Sequence, residues 1–119
     1  MDELIGRLVA KVGVSREAAE KSVGIILDFL QREGPPEKVQ ALMKQLPGSE
    51  ALMQGAAGGV GGMLMGGLMG TGTRMMAAGL SMGQVQGVTR ETIAYAREKA
   101  GEDTVGEIVG AIPGLGQFI

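Results

Sequence analysis

Apolar residues recur at helical spacing along both ends of the chain and lose that rhythm only in the middle. Leu4, Ile5, Leu8, Val9 and Val12 repeat at intervals of three and four, with Asp2 and Glu3 where a helix N-terminus favours negative charge. The spacing predicts a helix over 2–12 that Gly13 ends. Ser15 reads as the N-cap of a second helix, over 15–33, that turns Val14 or Ala19, Val23, Ile26, Leu27 and Leu30 inward. Gly34-Pro35-Pro36 breaks it. Pro36 suits the first turn of a third helix, over 36–46, because its missing N–H would be unpaired there in any case. Val39, Leu42, Met43 and Leu46 form the apolar side of that helix, and Pro47-Gly48 stops it. Ser49 with Glu50 opens a helix that runs into the middle of the chain, and further helices are predicted over 81–99 and 103–111 before a short tail.

The two ends match one another. Sliding the sequence by 66 residues lays Gly13-Val14-Ser15 over Gly79-Leu80-Ser81 and Pro47-Gly48 over Pro113-Gly114 without a gap. In the same register Leu27 meets Ile93, Phe29 meets Tyr95, Val39 meets Val105, Leu42 meets Ile108, Leu46 meets Ile112 and Leu52 meets Phe118. Cap, core and stop signals thus coincide, although Gly101-Glu102-Asp103 stands where Pro35-Pro36-Glu37 stood. The pattern predicts a single domain over 1–119 holding a repeated helical unit, one copy over 13–53 and one over 79–119, joined by a Gly/Met-rich segment over 54–78. A unit this small cannot bury its apolar face alone, so the copies are expected to pack on each other, in a pseudo-twofold arrangement, or on a second chain. The fold class expected is all-α, a small helical bundle.

Composition changes the picture in the middle. Of 22 Gly and 9 Met in the chain, seven methionines (Met53, Met63, Met65, Met69, Met75, Met76 and Met82) fall in one central stretch, and residues 51–80 carry Arg74 as their single charge. Residues 51–73 are 23 uncharged positions, about 35 Å as a helix and long enough to cross a hydrocarbon core of about 30 Å. Nine of these 23 are Gly, so the apolar driving force for insertion is thin. Gly58, Gly62, Gly66 and Gly70 recur every four residues, with Ala51, Gly55 and Gly59 at the same interval, and about 100° per residue gathers them on one side of a helix. Such a flat face lets two backbones approach closely. Each interior Gly costs about 1 kcal/mol of helix propensity relative to Ala, so the helix needs a partner to form. Three readings stand at this point: a packed helix, a flexible tether between the copies, and a membrane span. The methionines serve either as gap-fillers in a core or as an adaptable binding surface.

Charge and chemistry narrow the function classes. The chain has no His, no Cys and no Trp, which removes thiolate and Ser-His nucleophiles, ordinary zinc sites and disulfides. Eleven basic against 13 acidic residues disfavour nucleic acid, and Phe29, Tyr95 and Phe118 are not interleaved with basic residues. No nucleotide-binding glycine motif is present; Gly70-Thr71-Gly72-Thr73-Arg74 is the nearest approach to a phosphate nest. Glu17, Glu20, Glu102, Asp103 and Glu107 read as caps or solvated faces rather than acid–base or cation-binding groups. Asp2 and Glu3, in place of a basic leader, point away from a secretory signal and towards the cytoplasm.

The run Leu8 to Ser15, the helix carrying Ala18, Ala19 and Ile25 to Leu30, and the exit Leu46-Pro47-Gly48-Ser49-Glu50-Ala51-Leu52 resemble the VcgC/VcgE-type family of small bacterial helical proteins of unknown function. The resemblance covers about the first 53 residues, and Ile112-Pro113-Gly114 more loosely. It implies an all-helical fold and supplies no catalytic residue. No catalytic, cofactor or metal site is therefore expected. The expected function is a non-enzymatic helical interaction module that binds itself, or another helical protein, through Gly55, Gly58, Gly59, Gly62, Gly66 and Gly70 together with Met63, Met65 and Met69. The alternative is a membrane-associated protein whose residues 51–73 insert as a glycine-zipper helix.

Overall fold

The computed structural model describes residues 2–52, 72, 74–112 and 114–118, and every regular element among them is an α-helix. In chain order these are α1 (Asp2–Lys11), α2 (Arg16–Glu33), α3 (Pro36–Lys44), α4 (Met82–Ala100), α5 (Glu102–Ala111) and the single turn α6 (Leu115–Phe118). Residues 49–52, 72 and 74–77 are also helical. Among the described residues no helix is long and apolar enough to cross a membrane.

The helix ends follow local chemistry. The Val12 and Gly13 N–H groups both donate to the Leu8 carbonyl, at 2.9 and 3.2 Å, and Gly13 takes φ +83°, which a side chain would strain. Ser15 Oγ caps α2 by accepting from the Ala18 N–H at 3.1 Å. Ser81 does more for α4: its Oγ accepts from the Gln84 N–H, while its own N–H donates to Gln84 Oε1, a reciprocal capping box.

Helix α3 ends two residues before the expected 46. The Gln45 and Leu46 N–H groups bond three residues back, to Leu42 and Met43, tightening the last turn and swinging Leu46 into the core. Ser49, expected to open the next helix, is its first residue. The cap position belongs to Gly48, whose carbonyl accepts from the Leu52 N–H and whose φ is +90°.

Helix α1 packs on α2 and α4, α2 packs on α4, and α3 packs on α5. The core formed between them includes Leu4, Ile5, Leu8, Ile26, Leu27, Leu30, Leu42, Ile93 and Ile108, all almost fully shielded from water. Val9, expected on the inner stripe, is 41% exposed, because α1 turns Leu4, Ile5 and Leu8 towards α2 and α4 and Val9 falls past the edge. Three buried hydroxyls bond within their own helices: Ser22 donates to the Ala19 carbonyl, Thr89 to Val85 and Thr92 to Val88.

Helices begin at 16 and 82, at 36 and 102, and at 49 and 115, and left-handed glycines stand at 13 and 79 and at 48 and 114. Every described buried position from Leu80 to Leu115 has a buried counterpart 66 residues earlier, including Ala19 with Val85, Val23 with Thr89 and Leu30 with Ala96. Each long helix packs on its counterpart, α2 on α4, and each short helix on its own, α3 on α5. The halves differ where Gly24 and Ile25 are buried, whereas their counterparts Arg90 and Glu91 are exposed and half-exposed.

Candidate functional site

The residues singled out for self-association, Gly55, Gly58, Gly59, Gly62, Gly66 and Gly70 with Met63, Met65 and Met69, lie outside the described residues. What the structure gives is how the chain enters and leaves their stretch. On entry, Ser49 is buried in the helical piece 49–52 and Leu52 packs against the core. On return, Arg74 Nη1 lies 3.1 Å from Asp28 Oδ2 of α2, and the two side chains are only 11% and 13% exposed. Asp28 Oδ2 also receives Arg32 at 3.2 Å. Breaking a pair this far from water strands a charge, so the only charged side chain of residues 51–80 serves as a fixed point on the bundle. Met75, next to it, is completely buried, and Leu80 is 4% exposed.

Of the phosphate-nest candidate 70–74, Gly70, Thr71 and Thr73 lie outside the described residues. The Arg74 guanidinium faces the Asp28 carboxylate. Of the seven central methionines, three are described: Met75 is core, and Met76 and Met82 are exposed, at 47% and 63%.

A second charged cluster joins α1 to α4. Arg7 donates through Nη1 and Nη2 to the two Glu98 oxygens, at 2.6 and 2.9 Å, and its guanidinium carbon lies 5.5 Å from the centroid of the buried Tyr95 ring. Lys99 lies 5.4 Å from the same centroid and reaches Glu3 at 3.9 Å. The hydrogen bonds between Arg7 and Glu98 raise the arginine above its ordinary value and hold the glutamate below the usual carboxylate range. Lys38 on α3 approaches Glu107 on α5 at 2.7 Å, and that hydrogen bond raises the lysine. These are contacts between helices and belong to architecture. The partners of these ion pairs lie 69 to 96 residues apart, and no local pattern announces them.

The remaining carboxylates have structural roles. Glu17 pairs with Lys21 and Glu20 with Arg16 along α2, while Glu102 and Asp103 lie in the first turn of α5. Among the described residues no group of three or more acidic side chains could hold a metal ion. An open depression of about 420 Å3 lies between the end of α1 and the start of α4, lined by Lys11, Val12, Ser81, Gly87, Arg90 and Glu91 among others. There the exposed Lys11 reaches the partly buried Glu91 at 4.0 Å. Comparison with known proteins identifies no relative: no family model, no curated protein and no solved structure matches the chain.

Proposed function

We propose that the protein is a cytoplasmic, non-enzymatic helical interaction module that associates with itself through the glycine face of its central segment. The observation that carries this reading is where the segment is attached. A tether serves to hold separate bodies apart, yet the halves on either side of this stretch already pack on each other through α2 on α4 and α3 on α5. Both ends of the stretch are fixed to that bundle, by buried Ser49 on one side and the Arg74–Asp28 pair on the other. An uncharged run of Gly, Met and Leu is therefore not needed as a spacer. Its four-residue glycine interval suits close approach of a second helix, with Met63, Met65 and Met69 as adaptable flanking contacts.

The absence of Cys makes a direct test available. Single cysteines placed in turn at Gly55, Gly58, Gly59, Gly62, Gly66 and Gly70, and at Ala57, Val60, Leu64 and Leu68 on the opposite side, report which side meets a second chain. The reading expects interchain disulfides concentrated at the glycine positions. Equal yields on both sides, or none, overturn it. A glycine-side pattern that forms only in the membrane fraction of lysed cells instead assigns residues 51–73 to a membrane.

A further inference from the structure

We propose that the face between the two halves is itself an interaction surface, and that its second partner is the opposite half of another copy of this chain, so that two chains exchange halves. This mode does not use the glycine face and goes beyond the function proposed above. The halves, 2–52 and 72–118, complete one another. Helix α1 lies against α4, α2 against α4 and α3 against α5, so the core of each half is closed by side chains of the other. Charged contacts cross the face in both directions, outside the 66-residue register. Arg7, in the helix leading the first half, reaches Glu98 on the long helix of the second, and Arg74, in the piece leading the second half, reaches Asp28 on the long helix of the first.

With helix starts and left-handed turns repeating at 66 residues, the face between halves is laid out like an interface between two similarly folded but unlike subunits. The pairing is between unlike halves, because buried Ile25 stands where the second half has Glu91. Exchange of unlike halves closes after two chains. The connector permits it: the 19 residues between Leu52 and Gly72 reach about 60 Å when extended, enough for the halves to part without leaving the chain.

Closed and exchanged forms make the same contacts, so concentration decides between them. A connector sets an effective concentration, about 1 mM for short linkers, and the closed chain dominates well below it. The exchanged dimer forms when opened chains refold near it.

The Cys-free chain supplies the test. A Cβ at Gly87 would lie 3.9 Å from the Val12 Cβ across the two halves, within the about 3.5–4.5 Å that a disulfide spans. The double variant Val12→Cys/Gly87→Cys should close a disulfide within one chain and so establish that the site can be bridged. Chains carrying Val12→Cys alone are then mixed with chains carrying Gly87→Cys alone, unfolded together, refolded at about 1 mM and at about 10 µM, and oxidised. The expected product is a mixed disulfide of twice the 12.2 kDa chain mass, exceeding either homodimer, with a yield at least about tenfold lower at the lower concentration. Mixed product absent at both concentrations, while the double variant bridges within its chain, overturns the exchange.

Repeating the mixture with Gly62→Leu/Gly66→Leu in both chains separates the two modes. Mixed product that persists there belongs to the half–half face. Mixed product that disappears there came through the glycine face and also overturns the exchange. Should either cysteine prevent folding, Lys38→Cys and Glu107→Cys, replacing a surface pair 2.7 Å apart, serve the same design with a short bismaleimide bridge.

Discussion

Gly34 sits where three helices crowd the backbone, and replacing it with alanine isolates that crowding. Its φ of −86° and ψ of 169° suit any residue, so Gly34→Ala introduces no backbone strain. The added Cβ would instead lie 2.7 Å from the Leu30 carbonyl oxygen, 2.9 Å from Val39 Cγ2 and 3.3 Å from Ile108 Cγ2. The first neighbour is backbone and accepts the Gly34 N–H at 2.8 Å, so it cannot rotate away. Relief requires moving the end of α2 relative to α3 and α5, and overpacking of this kind costs about 1–3 kcal/mol. An unfolding entropy of about 2.1 cal/mol/K per residue gives about 0.25 kcal/mol/K for 119 residues, so Tm should fall by about 4–12 °C. The control is Gly106→Ala, inside α5, where an added Cβ meets nothing within 4 Å. There the gain in helix propensity, about 0.5–1 kcal/mol, should raise Tm by about 2–4 °C. Thermal unfolding followed by circular dichroism at 222 nm measures both. A Gly34→Ala protein as stable as the parent would refute the close approach of α2, α3 and α5.

Three further substitutions probe caps and charges. Ser81→Ala removes the acceptor for the Gln84 N–H and breaks the capping box of α4, and should cost about 1 kcal/mol in urea unfolding; an unchanged midpoint would count against the cap. Asp28→Asn keeps the shape of the side chain but withdraws the charge between Arg74 and Arg32, and the low exposure of the Arg74 pair sets the expected loss at about 1–3 kcal/mol. A loss below about 0.5 kcal/mol would show that the pair is solvated. Glu98→Gln tests the surface clamp by its pH dependence. Glu98 is held below the usual carboxylate range in the fold by its hydrogen bonds from Arg7, so its contribution is present above that range and disappears as pH falls through it. The stability gap between parent and Glu98→Gln should be constant near neutrality and close in acid; a gap independent of pH would remove Glu98 from the account.

The helices were legible because their ends are written in residue types. Ser15, Ser81, Pro36, Gly13, Gly48, Ser49 and Gly114 each mark a boundary that the backbone keeps. The end of α3 was missed by two residues, since three-residue hydrogen bonds at Gln45 and Leu46 follow from packing and not from the local pattern. Val9 fits the helical period yet lies outside the core, because periodicity defines a stripe and not where its edge meets neighbours. Thr89 and Thr92 look polar, but the 66-residue register sets them over Val23 and Ile26 and so contained their burial. The pairs Arg7–Glu98, Lys38–Glu107 and Asp28–Arg74 were not legible, because each joins helices whose relative placement only the fold supplies. For the candidate site the sequence shows the glycine interval, and the structure adds the anchored ends of that stretch.

Self-association through the glycine face is tested most directly by the mass of the protein in water. Sedimentation equilibrium of the untagged chain in detergent-free buffer at micromolar concentrations should give a mass above 12.2 kDa that rises with concentration. The Gly62→Leu/Gly66→Leu chain, with the helical signal of the bundle retained, should return to 12.2 kDa. A parent mass of 12.2 kDa throughout, or a variant that sediments like the parent, would contradict the account.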